Sequence, residues 1–432
     1  MNQTPDTFDT SPTIQLNLNL RGLPLSATLA INERSAELVK AGRSVFKLGL
    51  GQSPFPVPEP VRQALADNAH QKDYLPVQGL RSLREAICGY LERTRGLSFK
   101  PENILVGPGT KELMFLTQLA YYGDLVIPTP SWVSYAPQAQ ILGRRIIWLP
   151  THIETGLGVT PEALREVCAP DPLRPRLLIL NSPGNPTGTA YTREALEAIA
   201  QTAREHQALL LSDEIYGGVE FDGQHQSVAN AYPKGTIISD GLSKWAGAGG
   251  WRLGFFAFPD NLSWLKDAMA SAASETYTSV AAPIQYAAIT AFEGGPEMER
   301  YLADSRRILK GLADFVQSRL RGAGAEVNEI RGGFYAFPSF EALRDRLEAR
   351  GIADSQTLCE RLLEETGVAT LPGRDFGRPE HELSLRLAFV DFDGEAALDA
   401  LKAGGACDEG FLRRYAPNVI AGIEAVAEWV AR

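Results

Sequence analysis

The chain has 432 residues, 44% of them hydrophobic and 22% charged, the balance of a globular protein with one large domain and a smaller second one. A formal charge of −10 and a pI near 5.2 exclude a broad electrostatic footprint for nucleic acid or an anionic membrane. An anionic ligand must therefore be held by a few local cations.

The polar start "MNQTPDTFDTSP" lacks the apolar core of a signal peptide and reads as a disordered tail. No apolar run approaches the roughly 18 residues that span a bilayer. Cys88, Cys168, Cys359 and Cys407 stand far apart without CxxC spacing, so they read as reduced thiols of a cytoplasmic protein, and no metal site is expected. The Pro-rich segment before residue 60 ("GQSPFPVPEP") is too short for a domain and is expected to pack on the second unit.

From about residue 100 to 260, "ENILVG", "DLVIPTP", "RRIIWLP", "RLLILNSP", "ALLLSDEIY", "TIISDGLS" and "RLGFFAFP" are strand candidates, largely separated by helical stretches. Seven such runs predict an α/β fold, with a mostly parallel seven-stranded sheet between helices in a large domain (61–300). Ligands of such sheets collect at the carboxyl ends of the strands. Helical periodicity runs from about Ile284 to Leu320. "GGFYAFPSF" and "LSLRLAFVDF" then read as strands of a smaller α+β domain (301–432), which the N-terminal segment (1–60) joins. After "DFDG", a Gly-rich break and a short extra helix precede a terminal amphipathic helix.

Three strand ends carry the chemistry. "NSPGNPTG" (181–188) precedes a helix that Thr192 would cap; alone it is an ordinary turn. "LLLSDEIYGG" (209–218) ends a strand with Asp213, Glu214 and Tyr216, and "SDGLSKWAGAGGWRLGFF" (239–256) sets Lys244 among small residues with Arg252 eight positions on. A lysine forms a Schiff base with an aldehyde cofactor when burial or nearby cations lower its pKa. Together the three offer the amine, the carboxylate for a pyridinium nitrogen and the cations and backbone amides for a phosphate that pyridoxal phosphate requires.

At these residues the chain resembles the fold-type-I pyridoxal-phosphate enzymes of the class I/II aminotransferase family. The likeness runs from about Ser26 to Phe389. "KDYLPVQGLRSLREAI", "PSWVSY", "NSPGNPTG", "SDEIYGG", "SKWAGAGGWRLG" and "LRLAF" occur in the family's order and at its approximate intervals. The resemblance implies that Lys244 binds the cofactor aldehyde and moves the proton between Cα and C4′. It implies that Asp213 pairs with the ring nitrogen, that Tyr216 and Asn185 hydrogen-bond the ring oxygen, and that Trp132 stacks on the ring and borders the substrate. Gly109, Thr110, Lys111, Ser243 and Arg252 would hold the phosphate. Arg386, Gly51 and Asn185 would meet the substrate α-carboxylate, and Tyr74 would reach the phosphate of a neighbouring subunit, which implies a homodimer.

Two features set expectations of their own. Many relatives have a serine where this chain has Gly241, so one phosphate hydroxyl is missing. In relatives that prefer aspartate a second cation meets the distal carboxylate, but Lys111 is expected to project elsewhere from a helix start. Leu25, Trp132, Tyr135 and Tyr277, expected near the side-chain pocket, are apolar or aromatic. Neutral aromatic or aliphatic donors are therefore expected over aspartate, with 2-oxoglutarate as acceptor. No GxGxxG, GxxxxGK[ST] or GxSxG occurs, which argues against nucleotide binding and serine hydrolysis. The rival within the class is another pyridoxal-phosphate reaction, β-elimination or a cyclising synthase.

Overall fold

The computed structural model describes residues 16–23 and 27–432; Leu25 and the polar start up to residue 15 lie outside the described residues. A short strand, β1 (Phe46–Lys47), comes first. The seven apolar runs then form β2 (Ile104–Gly107), β3 (Asp124–Thr129), β4 (Ile146–Pro150), β5 (Arg176–Asn181), β6 (Leu209–Asp213), β7 (Thr236–Gly241) and β8 (Gly254–Ala257). They make one sheet in the order β2-β8-β7-β6-β5-β3-β4. β3 through β7 pair in parallel with their sheet neighbours among β3–β7, while β8 runs antiparallel to both β2 and β7.

Why these runs are continuously apolar is visible in β5. Leu177 and Ile179 pack on one face with the helices Thr110–Ala120 and Ser263–Ser274, and Leu178 and Leu180 pack on the other with Pro161–Cys168 and Arg193–Glu205. A strand covered on both faces leaves neither set of its alternating side chains for water. Thr192 caps the helix after β5, its hydroxyl accepting from the Ala195 amide at 3.3 Å.

The helical run expected from Ile284 to Leu320 is two helices, Ala282–Glu293 and Pro296–Gly322. Gly294 and Gly295 between them have φ of +76° and +117°. Apolar periodicity continues across this break, so only the Gly-Gly-Pro sequence reports it. Beyond lie β9 (Tyr335–Ala336), β10 (Val368–Ala369), β11 (Leu371–Pro372) and β12 (Leu385–Ala388). β11, β12 and β9 form an antiparallel three-stranded sheet in that order. The chain ends in helices Gly394–Lys402, Glu409–Tyr415 and Pro417–Ala431.

We propose the division at about residue 300, with the segment before residue 60 joined to the later unit; the parallel pairing Phe46↔Val368 and Lys47↔Ala369 supports that last part. A single buried cluster holds Leu83 and Phe255 together with Leu312 and Trp429, so a continuous core ties the two units. The chain leaves β2, β3, β5, β6 and β7 at one edge of the large sheet, and β12 brings Arg386 over that edge.

Candidate active site

At this edge lies a cavity of about 480 Å³. Gly51, Thr110, Lys111, Trp132, Asn185, Asp213, Tyr216, Ser243, Lys244, Arg252 and Arg386, all expected at the site, line it.

Asp213, the last residue of β6, is buried. The Tyr135 hydroxyl donates to its Oδ2 at 2.6 Å and the Ser239 hydroxyl to its Oδ1 at 3.3 Å. Burial nevertheless pushes its pKa up to about 6 against these hydrogen bonds, and Asp213 forms no ion pair among the described residues. Such a carboxylate is built to receive a cation from the cavity. Behind it, buried Glu214 is anchored by Arg95 at 2.6 Å and His225 at 3.1 Å, and by hydroxyls of Ser212 and Ser227.

Two cations, Arg252 and Lys111, line the cavity near a helix start. Thr110 opens the helix Thr110–Ala120, and Gly109 before it has φ +86°. A Cβ on Gly109 would overlap the Arg252 guanidinium, so glycine is what admits that side chain. Arg252 itself holds φ +55°, uncommon for a residue with a side chain, and donates to the Gly249 carbonyl at 2.9 Å. Lys111 stands exposed at the cavity mouth, its ammonium 5.1 Å from the centre of the Trp132 ring. Partial desolvation and the charges of Arg252 and Lys244 push its pKa down. Lys111 thus enters the cleft rather than projecting away from it. Position 241 has no room for the missing serine: a Cβ on Gly241 would lie 2.7 Å from the Gly254 Cα, and one on Gly254 2.6 Å from the Thr110 amide nitrogen.

Lys244 donates to the Gly51 carbonyl at 2.8 Å. Arg386, 1% exposed, donates to the Asn185 side-chain oxygen at 3.3 Å and to the Gly49 carbonyl. Its Nε has no partner, and burial lowers its pKa. Neither Lys111, Lys244, Arg252 nor Arg386 forms an ion pair among the described residues, so each keeps its charge for a ligand.

Two expectations need correction. Tyr135 turns behind Asp213 instead of facing the cavity. Tyr277 also lies off it, its hydroxyl 3.4 Å from the Val106 carbonyl. Tyr74, expected to serve a neighbouring subunit, is 95% exposed and does not line this cavity in its own chain. Sequence reasoning missed Tyr335, which lines the cavity with its hydroxyl 2.9 Å from that of Tyr216. Within "GGFYAFPSF" it reads as one more strand aromatic, and nothing local separates it from Phe334.

Residues 43–397 match the family model described as aminotransferase class I and II. The chain belongs to that family. It is 33% identical over 402 residues to an aspartate aminotransferase of Geobacillus stearothermophilus, covering 90% of this chain and 96% of that protein. It is 33% identical over 365 residues to an aspartate/prephenate aminotransferase of Cereibacter sphaeroides, covering 82% and 89%. Among solved structures, the aspartate aminotransferase of Thermus thermophilus with maleate superposes with a TM-score of 0.82 at 28% identity, over 96% of this chain and all of that one.

The protein is accordingly a pyridoxal-phosphate-dependent aminotransferase of fold type I, which moves an amino group from an amino acid to a 2-oxo acid. Its cavity suits that cofactor. Among the described residues the buried Asp213 carboxylate has no cation partner and suits a ring nitrogen, the Arg252 guanidinium beside a helix start has no anion partner and suits a phosphate, and the Lys244 amine opens on the same cavity. No helix among the described residues is long and apolar enough to cross a membrane.

Proposed function

We propose that this aminotransferase takes acidic L-amino acids, aspartate and glutamate, as donors with 2-oxoglutarate as acceptor. The observation that carries this reading is the Lys111 ammonium, free of any carboxylate partner among the described residues and held against Trp132 in the cavity mouth. With Arg252, Thr110 and Ser243 serving the phosphate and Arg386 the α-carboxylate, Lys111 is the cation left for a second carboxylate. The relatives named for aspartate and the neighbour solved with the dicarboxylate maleate support it. Against the expectation of neutral donors stands the direction of Lys111.

When bound, pyridoxal phosphate supplies an electron sink that stabilises negative charge at the substrate Cα. The other roles fall to the chain. Thr110 presents its backbone amide at a helix start, Gly109 makes room for Arg252, and Ser243 and Arg252 complete the phosphate cup. Asp213 would hold a proton on the ring nitrogen by its negative charge, and Tyr216 and Asn185 would donate to the ring oxygen. Trp132 would cover the ring face. Arg386 grips the α-carboxylate with its guanidinium fork beside Gly51. Lys244 would be the residue that holds the cofactor at its aldehyde carbon, with loss of water, and its free amine would take the proton from the substrate Cα. We further propose a homodimer in which Tyr74 reaches the phosphate of the partner, and a cytoplasmic location, which the four free cysteines support.

The test compares kcat/KM for aspartate, glutamate, alanine, leucine and phenylalanine in the wild type and in Lys111→Met. A charged hydrogen bond is worth about 1.5–3 kcal/mol, so the variant should lose roughly 10- to 100-fold on the acidic donors and stay within about twofold on the neutral ones. A wild type that prefers leucine or phenylalanine to aspartate overturns the reading.

A further inference from the structure

Tyr335, on β9, reaches both halves of the site. Its hydroxyl lies 2.9 Å from the Tyr216 hydroxyl and 3.3 Å from the Gly51 carbonyl, the same carbonyl that accepts the Lys244 amine at 2.8 Å. Its ring centre lies 4.8 Å from the Arg386 guanidinium carbon. The side chain is 1% exposed. A Cβ on Gly51 would overlap the Tyr335 hydroxyl, so position 51 is kept bare by this tyrosine as well as by the substrate.

A phenol has one proton to donate. At Tyr335 that proton has two acceptors in reach, the Tyr216 oxygen and the Gly51 carbonyl. If Tyr216 gives its own proton to an acceptor in the cavity, its oxygen is left with lone pairs only towards Tyr335. The Tyr335 proton then turns to Tyr216, polarises it and makes it a stronger donor, as in any hydrogen-bonded chain of low dielectric. The Gly51 carbonyl is thereby left to Lys244 alone.

We infer that Tyr335 is a positioning residue whose hydroxyl strengthens Tyr216 as a donor to the cofactor ring oxygen and, in doing so, leaves the Gly51 carbonyl to Lys244. The inference rests on the reading of Tyr216 as that donor. It concerns a residue that touches neither the reacting carbon nor the substrate carboxylate through its hydroxyl, and that acts through Tyr216.

The experiment titrates the visible absorbance of the loaded enzyme against pH. A weaker donor leaves the acceptor oxygen richer in electrons, which strengthens the hold of the neighbouring Lys244 nitrogen on its proton, so the midpoint rises. A cooperative share of about 10–30% of a charge-assisted bond corresponds, at the upper part of that range, to a rise of roughly 0.3–0.6 pH unit in Tyr335→Phe. Tyr216→Phe should raise it further. In the Tyr216→Phe background, Tyr335→Phe should add less than about 0.1, because its effect runs through the missing hydroxyl. Phenylalanine keeps the ring against Arg386, so KM for both substrates should stay within about twofold. Tyr335→Met should show the same midpoint shift together with a raised KM, which keeps the test available should the first variant fold poorly.

A midpoint unmoved by Tyr335→Phe while Tyr216→Phe moves it overturns the inference alone. The same follows if the two shifts add, or if KM rises without a shift. A midpoint unmoved by Tyr216→Phe overturns the reading of Tyr216 as well.

Discussion

Asp213 is folded into a place that suits it badly until a cation arrives. Burial raises its pKa from 3.8 to about 6, so the folded chain without cofactor holds this proton more tightly than the unfolded chain does. An acid with a raised folded pKa costs stability as pH climbs through that window, here from about 4 to 6. At about 1.4 kcal/mol per pH unit the full cost is about 3 kcal/mol above pH 6. Asp213→Asn removes the charge and keeps the shape. The cofactor-free variant should therefore unfold at higher denaturant than the wild type at pH 8, with the difference vanishing near pH 4. The loaded variant should lose most of its turnover, because nothing then holds the proton on the ring nitrogen. Equal stability at pH 8, or unchanged half-reaction rates, would contradict this account. Residues such as Asp213 and Lys244 were legible in the sequence because each stands inside a strand-end motif whose neighbours betray it, and Arg386 because the run "LRLAF" around it matches the family's. Tyr335 was not, since its meaning depends on Gly51, 284 residues away in the chain.

At the scale of elements, the turn after β6 is pinned by a buried charge network. Burial alone would lower the pKa of His225, but its hydrogen bonds to Glu214 and Glu220 overcome this and raise it to about 9. Its Nδ1 lies 2.7 Å from Glu220 and its Nε2 3.1 Å from Glu214. A histidine with a raised folded pKa contributes stability that is complete below its unfolded value of 6.5 and is lost as pH rises through about 9. The expected loss is about 3 kcal/mol between pH 6.5 and 9.5. His225→Gln should be less stable than the wild type at pH 6.5 and converge on it at pH 9.5, read by denaturant midpoints. Parallel curves for the two proteins across that range would refute the ion clamp. The sequence showed the strand, the turn and Glu214, but His225 lies beyond the next turn, and only the folded loop brings it back under β6. The break at Gly294 and Gly295 was hidden for a related reason: apolar spacing reports which side of a helix is buried, and both helices bury the same side.

At the scale of the molecule, Tyr74 is 95% exposed although the proposed function gives it a place at a phosphate. In the proposed two-fold dimer each Tyr74 would be carried to the opposite cavity. The geometry makes a quantitative prediction. Tyr74→Ala and Lys244→Ala chains, each poorly active alone, are mixed in equal amounts and allowed to exchange subunits. Half of the dimers are then mixed, and in each of these one site carries both lesions and the other carries neither. About a quarter of all sites are intact, so activity should recover to about a quarter of the wild-type value. Sites built within single chains would give no recovery, because no exchange could then place an intact Tyr74 beside an intact Lys244. A fully active monomer by light scattering would exclude the shared site from the other direction, and would require that Thr110, Ser243 and Arg252 hold the phosphate unaided.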